Sequence, residues 1–324
     1  MTSGQRVLAE FQLHQTTKMP YTQLKQRLDA GERIVLDGGT GTELERRGVP
    51  MNPDAWCGPT SVEHRATLEQ VHLDYIAAGA EIITANTFAS SRLMLEPAGL
   101  GERVAELNQA AVEAALNARE RSGNSAIVVA GSLSHMVPVR PGTDRSFAQN
   151  EDASVLADAF HELAEIHKAG GCDFILLEMM SHTQRTPLAV AAAKATGLPL
   201  WAGFSARRDE DSGKLTSYSQ VHLPFEDSIA AVDPKAVDAV GLMHTNATLI
   251  APGLELLRKR FACPLMAYPD SGYFKMPNWQ FENILTPEDF LDYTRTWVTS
   301  GVQIIGGCCG LSPEHIEAIR FLRT

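Results

Sequence analysis

Short apolar runs alternate along the chain with segments of helical period. The runs occupy 33–39 (RIVLDGG), 81–87 (EIITANT), 126–132 (AIVVAGS), 173–179 (DFILLEM), 199–205 (PLWAGFS), 239–245 (AVGLMHT), 264–270 (PLMAYPD) and 302–309 (VQIIGGCC). Between them, apolar residues return at helical spacing over 61–78, 102–122, 153–168 and 287–299. Most of the runs are nearly continuous, as suits strands covered on both faces. Strands alternating with helices imply a parallel sheet. Eight such units in 324 residues fit a closed barrel better than an open sheet. The pattern therefore predicts an α/β fold, a single (β/α)8 TIM barrel. No low-complexity linker divides the chain. One domain is expected over 21–324, with 1–20 as an N-terminal extension or cap.

Polar and reactive residues gather at the C-terminal ends of these runs. They are Asp37, Thr87, Ser132, Glu178, Ser205, His244, Asp270 and the pair Cys308-Cys309. In a parallel barrel those ends form one face, where active sites are built. Taken singly, Ser132, Ser205 and Asp270 read as turn formers. Glu178 is different, because it follows Phe174-Ile175-Leu176-Leu177 and a carboxylate there needs a partner if buried.

Composition narrows the class. The chain is 44% hydrophobic and 21% charged, with a formal net charge of −11. That balance argues against a general nucleic-acid surface. No apolar stretch approaches a membrane span, and the first twenty residues show neither a signal core nor transit character. A cytoplasmic protein with small-molecule partners is expected, with no nucleic acid and no membrane; self-association is left open. Five cysteines, an odd number, do not suit a secreted disulfide framework. Cys172 and Cys263 sit beside strand runs and read as packing residues.

Cys308 and Cys309 carry the most specific chemistry. Gly306-Gly307 bends the chain just before them, so both thiols can face a cleft. Thiolates in such a place are natural zinc ligands. The other readings of the pair are packing or redox chemistry. His244 ends the sixth run and is the candidate third ligand. Alone it would read as a hydrogen-bonded histidine, but it shares a face with the cysteines. His135 is the first substitute, with His182 and His222 behind it. A His-Cys-Cys set with one open position is a form of catalytic zinc site. It suits a thiol substrate, presented as a thiolate for S-alkylation.

These residues resemble the zinc-dependent homocysteine S-methyltransferase family. The resemblance runs from about 36 to 312. It rests on LDGGTGTELERRG (36–48), HLDYIAAGAEIITANTFASS (72–91), ILLEM (175–179), YPDSG (268–272) and GGCCG (306–310). It implies the barrel fold, methyl transfer to the thiol of homocysteine giving methionine, and zinc held by Cys308 and Cys309. The family's third ligand is usually a cysteine in a Gly-hydrophobic-Asn-Cys segment. Here the segment reads Gly241-Leu242-Met243-His244, so histidine stands in the cysteine's place. The resemblance also puts the substrate ammonium on Asp37 and Glu178. It puts the substrate carboxylate on backbone amides near Gly38, Gly39 and the turn holding Thr87, Phe88 and Ser90. A zwitterion needs such partners, acids for the ammonium and N–H groups for the carboxylate.

The chain offers no room for the cobalamin and folate modules of the large methionine synthases, so a small onium donor is expected: S-methylmethionine, S-adenosylmethionine or a betaine. Trp56, Phe88, Tyr273, Phe274 and Trp279 are candidates for cation–π contact with it. The segment 137–150 does not resemble the usual donor-side loop, and Arg140 or Arg145 there would favour a donor carrying a carboxylate. The alternatives are a metal- or redox-sensing barrel, a methyltransferase for a different thiol, and a hydrolase or lyase with a cysteine nucleophile.

Overall fold

The computed structural model describes residues 20–146 and 152–323. The extension expected over 1–20 lies outside the described residues, except for Pro20, which opens the helix Pro20–Asp29.

Eight parallel strands form the barrel. They are β1 Ile34–Val35, β2 Ile82–Thr84, β3 Val128–Ser134, β4 Phe174–Met180, β5 Leu200–Phe204, β6 Ala239–Asn246, β7 Leu265–Asp270 and β8 Ile304–Ile305. Each pairs with its sequence neighbour from β2 to β8, and β8 pairs with β1. A parallel bridge between Leu36 and Ile82 joins the remaining edges. All eight expected strands are present in the expected order, with helices between them. That is the arrangement in which strand C-termini share one rim.

Alternation of side chains divides the core in two. Val35, Ile83, Val129, Ile175, Leu177, Val240 and Ile305 pack outward against the helices. Ile34, Leu36, Val128, Phe174, Leu176, Trp201 and Tyr268 fill the interior. The helix Pro20–Asp29 adds Leu24 and Leu28 to the interior group. Trp201 donates its indole N–H to the Tyr21 hydroxyl at 2.9 Å, and that hydroxyl donates to Asp238 at 3.0 Å. Phe174 and Trp201 lie 4.5 Å apart by ring centroid. Such a pair adds about 0.5–1.5 kcal/mol beyond its area burial. The interior is thus a packed floor on which a site can be held still.

Several boundaries differ from the sequence pattern. β8 stops at Ile305, and the cysteines stand beyond it, held by the Gly307 amide on the Asp37 carbonyl at 2.9 Å and the Cys308 amide on the Pro269 carbonyl at 2.8 Å. β3 continues past Ser132 to Ser134. The helical segment 61–78 breaks at His64 into Thr60–Glu63 and Arg65–Ala78. Two hairpins follow β5 and β7: Ala206–Arg208 with Leu215–Ser217, and Tyr273–Lys275 with Asn278–Gln280. Among the described residues no helix is long and apolar enough to cross a membrane.

Candidate metal centre

One cavity opens at the C-terminal rim of the strands, and Asp37, Glu178, His244, Cys308 and Cys309 all line it. Two of these residues are aimed by irregular strand ends. The β4–β5 register shifts between Leu177 and Met180, and Met179 takes φ 55. The β6–β7 register shifts between Met243 and Asn246, and His244 itself takes φ 42. A non-glycine residue in the left-handed region is uncommon, and bulges beside active sites re-aim side chains. Glu178 and His244 thus reach the cavity by the same device on two strands.

His244, Cys308 and Cys309 each offer a ligand atom, and these atoms lie within 4.8 Å of one another. The two sulfurs are 3.8 Å apart. Two thiolates bound tetrahedrally at about 2.3 Å from one ion would stand about 3.8 Å apart. The donor set, its burial and this spacing fit a nitrogen- and sulfur-preferring divalent cation. In the free protein the Cys308 thiol is pushed well above its ordinary value, first by its hydrogen bond to Cys309, then by burial and by Cys309, Glu178 and Asp270 nearby. The same bond lowers Cys309, but burial and neighbouring Asp270 leave it raised. Burial lowers the His244 pKa to about 3, aided by the Arg207 charge, so the ring is neutral and keeps a lone pair to offer. Glycine makes this closeness feasible: a Cβ on Gly39 would lie 2.7 Å from the Cys308 carbonyl oxygen and 2.8 Å from the Cys309 Cα.

Asp37 and Glu178 form a second group. Asp37 accepts the Thr84 amide at 2.7 Å and the Thr84 hydroxyl at 3.0 Å. Glu178 accepts the Ser132 hydroxyl. Burial pushes Asp37 to about 8, against the Thr84 hydrogen bonds and with help from the Glu178 charge. Burial also pushes Glu178 to about 7, against its bond from Ser132. A buried acid pair without a cation holds protons at neutral pH, and a bound ammonium would release them.

Other expectations meet mixed outcomes. Gly38, Gly39 and Phe88 line the cavity, while Thr87 and Ser90 do not. The Thr87 hydroxyl donates to the Ser132 carbonyl at 2.7 Å, and its amide to the Ala85 carbonyl at 2.7 Å. The Ser90 hydroxyl donates to Asn108 at 2.6 Å, and the Gly39 amide is used by the Leu311 carbonyl at 3.2 Å. Trp56, Phe88, Phe274 and Trp279 line the wall, but Tyr273 is 38% exposed and does not line it. Arg140 and Arg145 are exposed, and the residues of that segment that line the cavity are Val137, Val139, Asp144 and Ser146. His135 lines the cavity too, with its Nε2 accepting the Ser181 amide at 3.1 Å, while His222 is exposed.

Sequence reasoning passed over Asn86, Cys57, Asp144 and Tyr218, all of which line the cavity. Asn86 shows what signal existed. It lies within the run 81–87, and its amide ties the Cys57 carbonyl, Thr60 and Ser61 to the rim at 3.1–3.3 Å. Tyr218 and Asp144 lie where no periodicity reaches.

Known proteins share this build. A solved homocysteine methyltransferase of Escherichia coli, MmuM in its metallated form, matches the fold with a TM-score of 0.72 at 24% identity, covering 92% of this chain and 99% of that one. Betaine–homocysteine S-methyltransferase 1 of Rattus norvegicus is 27% identical over 91% of this chain and 73% of its own length. Homocysteine S-methyltransferase 2 of Zea mays is 28% identical over 90% of this chain and 89% of its own. The family model for homocysteine S-methyltransferase spans residues 34–322, and the chain belongs to that family.

Proposed function

We propose that this methyltransferase moves a methyl group from a small onium donor to the sulfur of homocysteine, giving methionine, with zinc held by His244, Cys308 and Cys309. The observation that carries the reading is the convergence of those three ligand atoms within 4.8 Å, in the cavity that Asp37 and Glu178 also line. When bound there, zinc would lower the thiol pKa of the substrate and so supply a thiolate at neutral pH. The protein's own residues do the rest. Asp37 and Glu178, once ionised, take the ammonium and fix where the sulfur falls. The interior floor beneath them excludes water, which strengthens each charged contact. Trp56, Phe88, Phe274 and Trp279 offer ring faces to the donor's positive centre. Trp56 packs 6.2 Å from Phe88 and 5.4 Å from Phe274, and Trp279 stands 5.7 Å from the His244 ring. The aromatic wall thus runs up to the candidate ligand, where donor and thiol must meet. A neutral His244 ligand leaves the bound substrate sulfur less nucleophilic than three thiolates would, which favours a reactive sulfonium donor over a quaternary ammonium.

The test is direct. Zinc-loaded protein with homocysteine is incubated with S-methylmethionine, S-adenosylmethionine and a betaine in turn, and methionine is measured. Formation with one of the sulfonium donors is expected. No methionine with any of the three, from protein carrying stoichiometric zinc, would remove the homocysteine reading and leave a different thiol or a sensing role for Cys308-Cys309.

A further inference from the structure

We propose that Asp144 and Tyr218 form a positioning relay behind His244, turning its Nδ1 toward the metal and giving a neutral ligand an anionic backing. The inference rests on His244 being a ligand, as proposed above.

The geometry is a chain of contacts running from the rim into the site. His244 Nε2 lies 3.1 Å from the Tyr218 hydroxyl. That hydroxyl points to Asp144 Oδ2 at 3.5 Å, a long contact for an O–H···O bond. Arg207 Nη2 donates to the same Asp144 oxygen at 2.5 Å, and the guanidinium lies 3.8 Å above the Tyr218 ring. Tyr218 is thus pinned by its ring as well as its hydroxyl. On the other side of the imidazole, Asp270 Oδ2 stands 3.6 Å from Nδ1, too far for a hydrogen bond. Nε2 is the ring nitrogen already engaged, so Nδ1 is the one left for a metal.

Donor and acceptor accounting fixes the direction. A neutral imidazole carries one N–H. With Nδ1 on a metal, that hydrogen sits on Nε2 and is donated to the Tyr218 oxygen. The phenol then has its own hydrogen free for Asp144, an acceptor-only carboxylate held by Arg207. Every donor finds an acceptor along one line. In the reverse direction Nδ1 would carry the hydrogen and could not bind a metal. Histidine ligands commonly give their second N–H to a carboxylate, which orients the ring and raises its basicity. Here a tyrosine stands between the two.

The relay joins two departures that the sequence presents as unrelated. Histidine fills a position where the resemblance expects cysteine, and 137–150 is unlike the usual donor-side loop. Asp144 belongs to that loop, and its contacts end on that histidine. A thiolate needs no such support. An imidazole brings no charge, and a carboxylate two contacts away returns part of the negative character.

The test uses the full chain with His244 intact. Tyr218→Phe and Asp144→Asn are loaded with zinc, and affinity is read by chelator competition. Each is also loaded with Co²⁺, and its visible absorption is recorded at saturation. Tyr218→Phe is expected to weaken metal binding about 10- to 100-fold and to shift the Co²⁺ bands. Asp144→Asn should move both in the same direction by less, and it carries the test if the phenylalanine variant does not fold. The Tyr218→Phe loss should shrink in a His244→Cys background, where no imidazole remains to orient. Unchanged affinity and bands in Tyr218→Phe would overturn the relay. So would an equal loss in both backgrounds, which marks a merely structural residue. If His244→Ala keeps its zinc and its Co²⁺ spectrum, the ligand assignment itself has failed, an outcome separable from failure of the relay alone.

Discussion

On one side of the cavity, Asp37 and Glu178 take their hydrogen bonds from Thr84 and Ser132, each on the strand next to their own. On the other side, His244 leans on Tyr218, beyond a hairpin, and through it on Asp144, in a loop. The acid side is made of barrel strands alone and keeps the residues the family resemblance implies. The metal side mixes strand ends with loops and departs from it. A strand's neighbours are fixed by its register, so a residue changed there must still fit the same cross-strand side chains. Loops tolerate exchange and can carry a compensating group with them. On the proposed function, the substrate's ammonium would be read by the part of the site least free to vary, and the chemistry at sulfur tuned by the part most free to do so.

The largest effect should come from removing the shared anchor of the metal side. Cys308→Ser and Cys309→Ser are each expected to lose most of the zinc, and with it about a thousandfold or more in turnover, since metal assistance contributes several kcal/mol. Metal content by atomic spectroscopy checks the first part, and methionine formation the second. Stoichiometric zinc in the double serine variant would refute the assignment and erase the distinction between the two sides.

On the acid side, Asp37→Asn and Glu178→Gln should leave the zinc in place. Each is expected to cost about 10- to 100-fold in kcat/KM for homocysteine, the value of a charge-assisted hydrogen bond. Neither should cost as much for a thiol acid lacking the amino group. An equal loss with both thiols would mean that the carboxylates do not read the ammonium.

The two sides were unequally legible in the sequence. Asp37 and Glu178 could be singled out because each closes an apolar run, and period-two alternation with a common strand direction then places both at one rim. His244, Cys308 and Cys309 followed from the same logic with ligand chemistry added. Thr87, another strand end, and Ser90, placed by the resemblance in the turn after it, were expected at the cavity, yet their side chains turn into the wall. A strand's end is visible in sequence, but the way the chain turns after it is not. The bulges that aim Glu178 and His244 left no trace in the periodicity, since each hides in an ordinary run. Tyr218 follows a hairpin and Asp144 lies in a loop, and only the folded chain brings them to His244.

The pH dependence should also separate the sides. Asp37 and Glu178 are raised to about 8 and about 7 in the free protein, and on the proposed function the ammonium would bind their ionised forms. The KM for homocysteine is therefore expected to fall at least about tenfold between pH 6 and 8, relative to the thiol acid without an amino group. That control removes the shared ionisation of the thiol. For stability the sign is opposite. Acids raised on folding favour the folded state fully below their unfolded pKa near 4, and that contribution is lost as pH rises through 7 to 8. Metal-free, substrate-free protein should thus melt lower at pH 9 than at pH 6. A melting temperature that rises over this range would show that the pair is ionised from the start.

The smallest expected effect tests the metal side most finely. His244→Cys exchanges a neutral ligand for a thiolate. With His244 as the third ligand, two thiolates would neutralise Zn²⁺, and a bound substrate thiolate would make the centre −1. With cysteine the same states are −1 and −2. The more negative centre attracts the substrate thiolate less and acidifies it less. It also withdraws less electron density, and a thiol of higher pKa is the better nucleophile once ionised. The two consequences oppose one another in turnover, so kcat should change only a few-fold, while the pH at which thiol binding is half complete moves upward. Sulfur stands one bond nearer the backbone than Nδ1, and Tyr218 loses its nitrogen partner, so zinc should be retained but held less tightly. Direct titration of homocysteine binding at several pH values checks the shift. A profile unchanged from the parent protein, with zinc retained, would show that the charge at position 244 does not reach the substrate sulfur, and the contrast drawn between the two sides would rest on geometry alone.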